Sequence, residues 1–249
     1  FPFSGKTTVF QSSCQLTAYH LHKAGEAGEH MGTLRYETDA RLNWLTELEH
    51  SRKVVPVSLE VWDFPGLDLS TELGRQQARR LMGEVRKSDL LVLVLRAFDN
   101  PAVPAYRNRV DPAADLAELM EEFHFSDLDQ LTRRAEKLEQ QLQKPTPLRE
   151  EYRRELALVR ECLADLEAGK GVEALAARPE NERILRSFAL LTQLPYLVII
   201  NTDEDKIRQA FELKHYPNVK AVLVSPADYE RELQNLEPAE REAFAAEVG

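Results

Sequence analysis

Cysteine is scarce in this chain of 249 residues: Cys14 and Cys162 are the only two, far apart and outside any CxxC pattern. That excludes a disulfide framework and fits incidental thiols in a reducing compartment. Long apolar runs are missing too, and none approaches membrane-spanning length. The first residues lack the basic-then-apolar layout of a signal peptide, so the expectation is a cytoplasmic chain with no membrane contact. Positive charge is in deficit, with 32 Lys and Arg against 42 Asp and Glu and a formal net charge of −10. That balance excludes the whole chain as a nucleic-acid coating protein, while leaving room for a local basic face. The length suits one large domain, or one domain carrying an insertion, with a real core.

What is present starts at the first residues. Phe1 to Thr8 (FPFSGKTT) read as the back half of a phosphate-binding loop. Gly5-Lys6-Thr7 ends the pattern, whose leading glycine would fall one residue before Phe1. Gly5 lets the backbone approach and turn its N–H groups on phosphates, Lys6 neutralises β/γ charge, and the Thr7 hydroxyl can hold Mg²⁺. Phe3, Ser4, Gly5, Lys6, Thr7 and Thr8 are therefore the candidate phosphate contacts. A helix is expected to start near Val9.

Downstream, His20 to Gly32 is polar and histidine-containing, and a solvated loop is favoured over a metal site for His20, His22 and His30. Thr17 and Thr33 are the threonines available as a switch ligand for Mg²⁺. Leu34 to Tyr36 suggests a short edge strand, and 39–49 a helix with Leu42, Leu45 and Leu48 on one stripe. Val57, Leu59 and Val61 alternate in a β-rich run that ends in Asp63-Phe64-Pro65-Gly66. An Asp-x-x-Gly after a strand is the second nucleotide signal: Asp63 for the Mg²⁺ water shell, Gly66 for the γ-phosphate. Leu67 stands where a Ras-like enzyme keeps its water-orienting glutamine. Other groups must place the water, Leu67 is retracted, or hydrolysis is slow. A helix over 71–85 with Arg75, Arg79 and Arg80 and a buried parallel strand over 90–95 follow.

From Asp111 the chain turns to long charged helices. One stripe runs through Leu128, Leu131, Ala135, Leu138 and Leu142 from an expected start at Ser126. After Pro145-Thr146-Pro147, a second stripe runs from Leu148 to Leu166 and stops at Gly169, making an antiparallel helical hairpin. A helix over 182–192 and a buried strand over 196–200 come next. That strand ends in Asn201-Thr202-Asp203-Glu204, where guanine-specific proteins carry Asn-Lys-x-Asp. Asn201 can pair with a purine, but Thr202 and Glu204 alter the guanine clamp, so adenine becomes credible. A strand over 219–224 leads to Ser225-Pro226-Ala227 as a base-contacting turn, and 239–248 reads as a last helix.

The fold class expected is α/β: a P-loop NTPase with a doubly wound, mostly parallel sheet and an inserted antiparallel helical hairpin. Its parts are 1–110 and 181–249 for the nucleotide-binding domain and 111–180 for the insert.

In this order the parts resemble the Obg-like ATPase, or YchF, family of P-loop proteins. The likeness runs from the phosphate loop through Asp39-Ala40-Arg41-Leu42, Val54-Val55-Pro56, Asp63 to Leu67 and Val110-Asp111-Pro112 to Ser126-Asp127-Leu128. It continues through Arg134, Lys137-Leu138-Glu139 and Leu190-Leu191-Thr192 to Asn201 and Glu204. The resemblance implies a cytoplasmic nucleotide hydrolase that prefers ATP over GTP, has a hydrophobic residue in place of the catalytic glutamine and associates with ribosomes or ribosomal RNA. Mg²⁺ is the cofactor expected from Thr7 and Asp63, and the sequence leaves the oligomeric state open, a monomer being the default. It also implies a strand and loop glycine before Phe1 and a ubiquitin-like TGS domain after Gly249, so the sequence reads as part of a longer chain. Two departures stand out: Phe3 replaces an asparagine linked to monovalent-cation assistance, and no switch-I threonine motif is legible between His20 and Gly32. A catalytically weak ribosome-binding module and a plain GTPase stay open as alternatives.

Overall fold

The computed structural model describes residues 1–14, 22–24, 29–36, 39–233, 236 and 240. Helix α1 (Lys6–Ser13) begins three residues before the expected start at Val9, because Gly5 at φ +83° turns the chain straight into it. Strands β1 (His22–Ala24) and β2 (Glu29–Tyr36) follow, then α2 (Ala40–Leu48) and β3 (Val57–Asp63). Helix α3 (Glu72–Val85) is capped by Thr71, whose hydroxyl accepts from Gly74 N, and leads to β4 (Leu91–Arg96). Next come α4 (Pro112–Leu142), α5 (Arg149–Glu167) and the short α6 (Glu173–Ala176). The chain closes through α7 (Pro179–Phe188), β5 (Tyr196–Asn201), β6 (Val219–Ser225) and α8 (Ala227–Leu233).

The strands form two three-stranded sheets: antiparallel β1-β2-β3 and parallel β4-β5-β6. The fold is thus α/β with a parallel sheet, as the pattern of strands and helices implies. Three local readings change. The residues expected as a solvated loop include β1 and the start of β2, because backbone pairing of β1 to β2 and of β2 to β3 organises them where side-chain pattern does not. Leu34 to Tyr36 end a longer, eight-residue strand; β1 pairs only with its first three residues, so among the described residues Leu34 to Tyr36 pair with β3 alone. The expected helix over 182–192 splits at Ala189, whose φ of +48° ends α7, and resumes as one 3₁₀ turn at Leu191–Gln193. The apolar stripe of α2 buries none of its residues among those described. Thr17 and most of the expected helix over 239–248 lie outside the described residues.

Helix α4 starts at Pro112, with Asp111 capping Ala114 N, fourteen residues before the expected start at Ser126. It is 31 residues long and joins two cores. Its Leu116, Leu119 and Phe123 pack with Leu93, Leu95, Tyr196, Val198 and Ile200 of the parallel sheet. Leu131, Ala135 and Leu138 pack instead with Leu156, Val159, Cys162 and Leu166 of α5. Where the two cores meet, Asp127 is fully buried and accepts four hydrogen bonds, from Arg86 Nη1, Leu191 N, Thr192 N and Thr192 Oγ1. Arg86 also donates to Ser126 Oγ and Ala189 O, so this buried pair satisfies its neighbours as well as itself.

Candidate functional site

The phosphate loop and the end of β3 meet directly. Lys6 Nζ lies 3.3 Å from Asp63 Oδ1, and Thr7 Oγ1 donates to Asp63 Oδ2 at 2.7 Å. Asp63 is buried, so a lysine and a hydroxyl serve a carboxylate that water scarcely reaches. Lys6, Thr7 and Thr8 form the first turn of α1, whose free N–H groups and dipole favour an anion. Ser4 is buried and its Oγ has no partner among the described residues, while Phe3 is exposed at φ +58°. Gly66 lies against Phe1 and Pro2, where a Cβ would come 2.8 Å from Pro2 Cα, so glycine is needed for that close approach. Leu67 packs against the parallel-sheet core and offers no polar group at the surface. Thr33 sits in β2, exposed and paired with Glu60.

The second half of the site lies along the carboxyl ends of the parallel strands. Arg96 of β4 pairs with Asn201 of β5, and Asn201 with Ser225 of β6, so these three form one row. Asn201 is buried and uses both ends of its amide: Nδ2 donates to Ser4 O at 3.1 Å, and Oδ1 accepts from Ala227 N at 3.0 Å. It clips the phosphate loop to the turn after β6. A Cβ on Gly5 would collide with that amide. One Nδ2 hydrogen and one Oδ1 lone pair remain for a ligand. Thr202 N donates to Ser225 O, and the buried Thr202 Oγ1 has no partner among the described residues.

A cavity of about 650 Å³ opens beside Asn201. Phe98 and Tyr229 supply its aromatic surface, Asn100 and Asn201 its amides, and Asp99, Asp203, Glu204, Asp205 and Asp228 a dense set of carboxylates. Asp203 is engaged, accepting from Lys206 Nζ at 2.7 Å and from Asp99 N, and that contact raises the Lys206 ammonium pKa. Glu204 is exposed and begins a 3₁₀ turn, so its carboxylate is available. A flat heterocycle with N–H donors suits such a pocket: aromatic faces to stack on and acceptors along its edge. Sequence patterns pointed to Asn201, Thr202, Glu204 and Ser225 here but missed Phe98, Asn100 and Tyr229. The signal available was the position of Arg96-Ala97-Phe98 at a strand's carboxyl end, where ligands collect in open α/β sheets.

No protein-family model matches the chain. Obg-like ATPase 1 of Oryza sativa is 27% identical over 221 residues, covering 85% of this chain and 55% of that protein. The ribosome-binding ATPase YchF of Bacillus subtilis is 25% identical over 260 residues, covering 100% of this chain and 69% of its own length. The chain is similar to YchF and Obg-like ATPases along most of its length. The solved structure of the Schizosaccharomyces pombe YchF GTPase shares its fold, with a TM-score of 0.69 at 21% identity over 99% of this chain and 69% of that one. The chain spans little more than half the length of the rice protein. Among the described residues, no helix is long and apolar enough to cross a membrane.

Proposed function

We propose that this chain is the nucleotide-binding portion of a slow P-loop NTPase that takes ATP in preference to GTP. The reading rests above all on the 3.1 Å hydrogen bond from Asn201 to Ser4 O, which sets the lysine-bearing anion loop beside an amide-lined cavity of base size. Residues 1–110 and 181–249 supply the two parts of the nucleotide domain, and 111–180 the inserted hairpin. Lys6 holds Asp63 here and exchanges that carboxylate for phosphate oxygens when a nucleotide enters. Backbone groups of Phe3 to Thr8 complete the phosphate cradle, and the free N–H of Gly66 meets the γ-phosphate.

Thr7 Oγ1 and Asp63 are two hard oxygen donors held 2.7 Å apart, a donor set that suits Mg²⁺. When bound there, the ion neutralises phosphate charge. Asn201 orients the purine with its remaining donor and acceptor. Glu204, one methylene longer than the aspartate of a guanine clamp, displaces the carboxylate that would accept from guanine N–H groups. Thr202 and Ser225 frame the base loop. Leu67, turned into the core, leaves water unoriented, which supports slow turnover and keeps the catalytically weak binding module as the second reading. The Bacillus subtilis relative is named for ribosome binding, and we extend that association and a cytoplasmic location to this chain as part of the proposal.

The test is a fluorescence titration with ATP and GTP analogues, with and without Mg²⁺, on the wild type and Glu204→Asp. ATP should bind more tightly than GTP by about tenfold or more, and Glu204→Asp should shift the preference toward GTP. A guanine preference in the wild type would reject the adenine assignment. No binding of either nucleotide would reject the NTPase reading.

A further inference from the structure

Arg96, the last residue of β4, is a buried guanidinium, only 4% exposed, with no carboxylate partner among the described residues. Its donors go instead to backbone carbonyls: Nε to Phe98 at 3.2 Å, Nη1 to Phe3 at 3.5 Å and Pro104 at 3.4 Å, Nη2 to Asn100 at 3.4 Å and Val103 at 3.0 Å. The five N–H groups of an arginine thus have five acceptors. The guanidinium carbon also sits 4.4 Å from the centroid of the Phe98 ring, covering one of its faces. Burying a charge is costly unless all its donors are met, so a side chain placed this way needs an account of what it organises.

The partners supply that account. Phe98 and Asn100 line the base-sized cavity, and Phe3 belongs to the phosphate loop. One rigid fork therefore spans the two halves of the site, holding the 97–104 segment in a closed arc while reaching the loop on its other side. We infer that Arg96 is the positioning residue that fixes the aromatic wall of the base cavity at a set distance from the phosphate loop. This rests on the nucleotide-site reading above and assigns to Arg96 the affinity that a nucleoside adds to a bare phosphate chain. A lysine cannot substitute, because a point charge on a flexible stem cannot serve five diverging carbonyls or lie flat on the Phe98 ring.

The experiment is calorimetric binding of ATP and of inorganic tripolyphosphate to the wild type, Arg96→Lys, Arg96→Met and Phe98→Leu, with thermal unfolding to show that each variant is folded. In Arg96→Lys the gain of ATP over tripolyphosphate should fall by about tenfold or more, the scale of losing well-placed hydrogen bonds, while tripolyphosphate affinity is unchanged. Combining Arg96→Lys with Phe98→Leu should cost little more than either alone, since the two act through one wall. If Arg96→Met does not fold, Arg96→Lys and the double variant carry the test. An unchanged ATP gain in Arg96→Lys, or ATP and tripolyphosphate weakening together, would overturn the inference while leaving the site in place. A wild type that binds tripolyphosphate and ATP equally would sink the base cavity itself, and Arg96's role with it.

Discussion

Asn201→Ala tests the joint at the centre of the site. The substitution deletes two buried hydrogen bonds, to Ser4 O at 3.1 Å and from Ala227 N at 3.0 Å. Each such bond contributes about 1 kcal/mol net, and each buried partner left unpaired costs about 1–3 kcal/mol. Partial relaxation and solvent access at an open pocket reduce the second figure, so the expected loss of stability is about 2–4 kcal/mol. Asn201→Asp separates the two bonds. It keeps the acceptor facing Ala227 N but sets an oxygen against the Ser4 carbonyl, so it should cost at least as much as losing that bond alone. Urea unfolding is the assay, and at a slope of about 2–3 kcal/mol per molar the Ala variant should unfold about 1 M earlier than wild type. Both variants should also bind ATP more weakly, because the loop around Gly5 at φ +83° loses its fastening. A midpoint unchanged in Asn201→Ala would refute the reasoning, since it would mean that neither bond is made.

Two further outcomes follow from the packing. Asp127→Ala removes the acceptor of four buried hydrogen bonds and strands Arg86, so it should destabilise by about 3–5 kcal/mol in the same assay, and a cost near zero would show the pair is not formed. Burial pushes the Cys162 thiol up from 9.0 to about 11, so in a Cys14→Ser background it should resist maleimide at pH 8 until the protein unfolds. The folded state holds that proton longer than the unfolded state. Its contribution is therefore complete below about pH 9 and is lost as pH rises through about 11, a decline that Cys162→Ala should not show in a pH series of unfolding curves.

Much of this was legible because it is written locally. Gly5-Lys6-Thr7, the apolar runs of β4 and β5 and the paired leucine stripes each depend on neighbours in sequence, and each lies where its pattern places it. Asp63 was marked by the turn that follows it, while its contacts to Lys6 and Thr7 span 57 and 56 positions that no local pattern links. The strand hidden in the histidine-rich segment was not legible, since its pairing to β3 uses backbone groups alone. Nor was Arg96, which as a sequence is one charge at a strand end. Its meaning comes from five carbonyls contributed by two separate stretches of chain, 97–104 and the phosphate loop. Asn201 was read as a base contact, and its clip to Ser4 spans 197 positions that no local pattern links.

Helix α4 carries a mechanical consequence. At 1.5 Å per residue its 31 residues make a rod of about 46 Å, with one end embedded against the parallel sheet and the other in the hairpin. Arg86, at the end of α3, grips it at Asp127, near the midpoint. That grip is a fulcrum. A tilt of about 5° about it carries each end of the rod by about 2 Å in opposite directions, so whatever displaces the sheet end displaces the hairpin end by as much the other way.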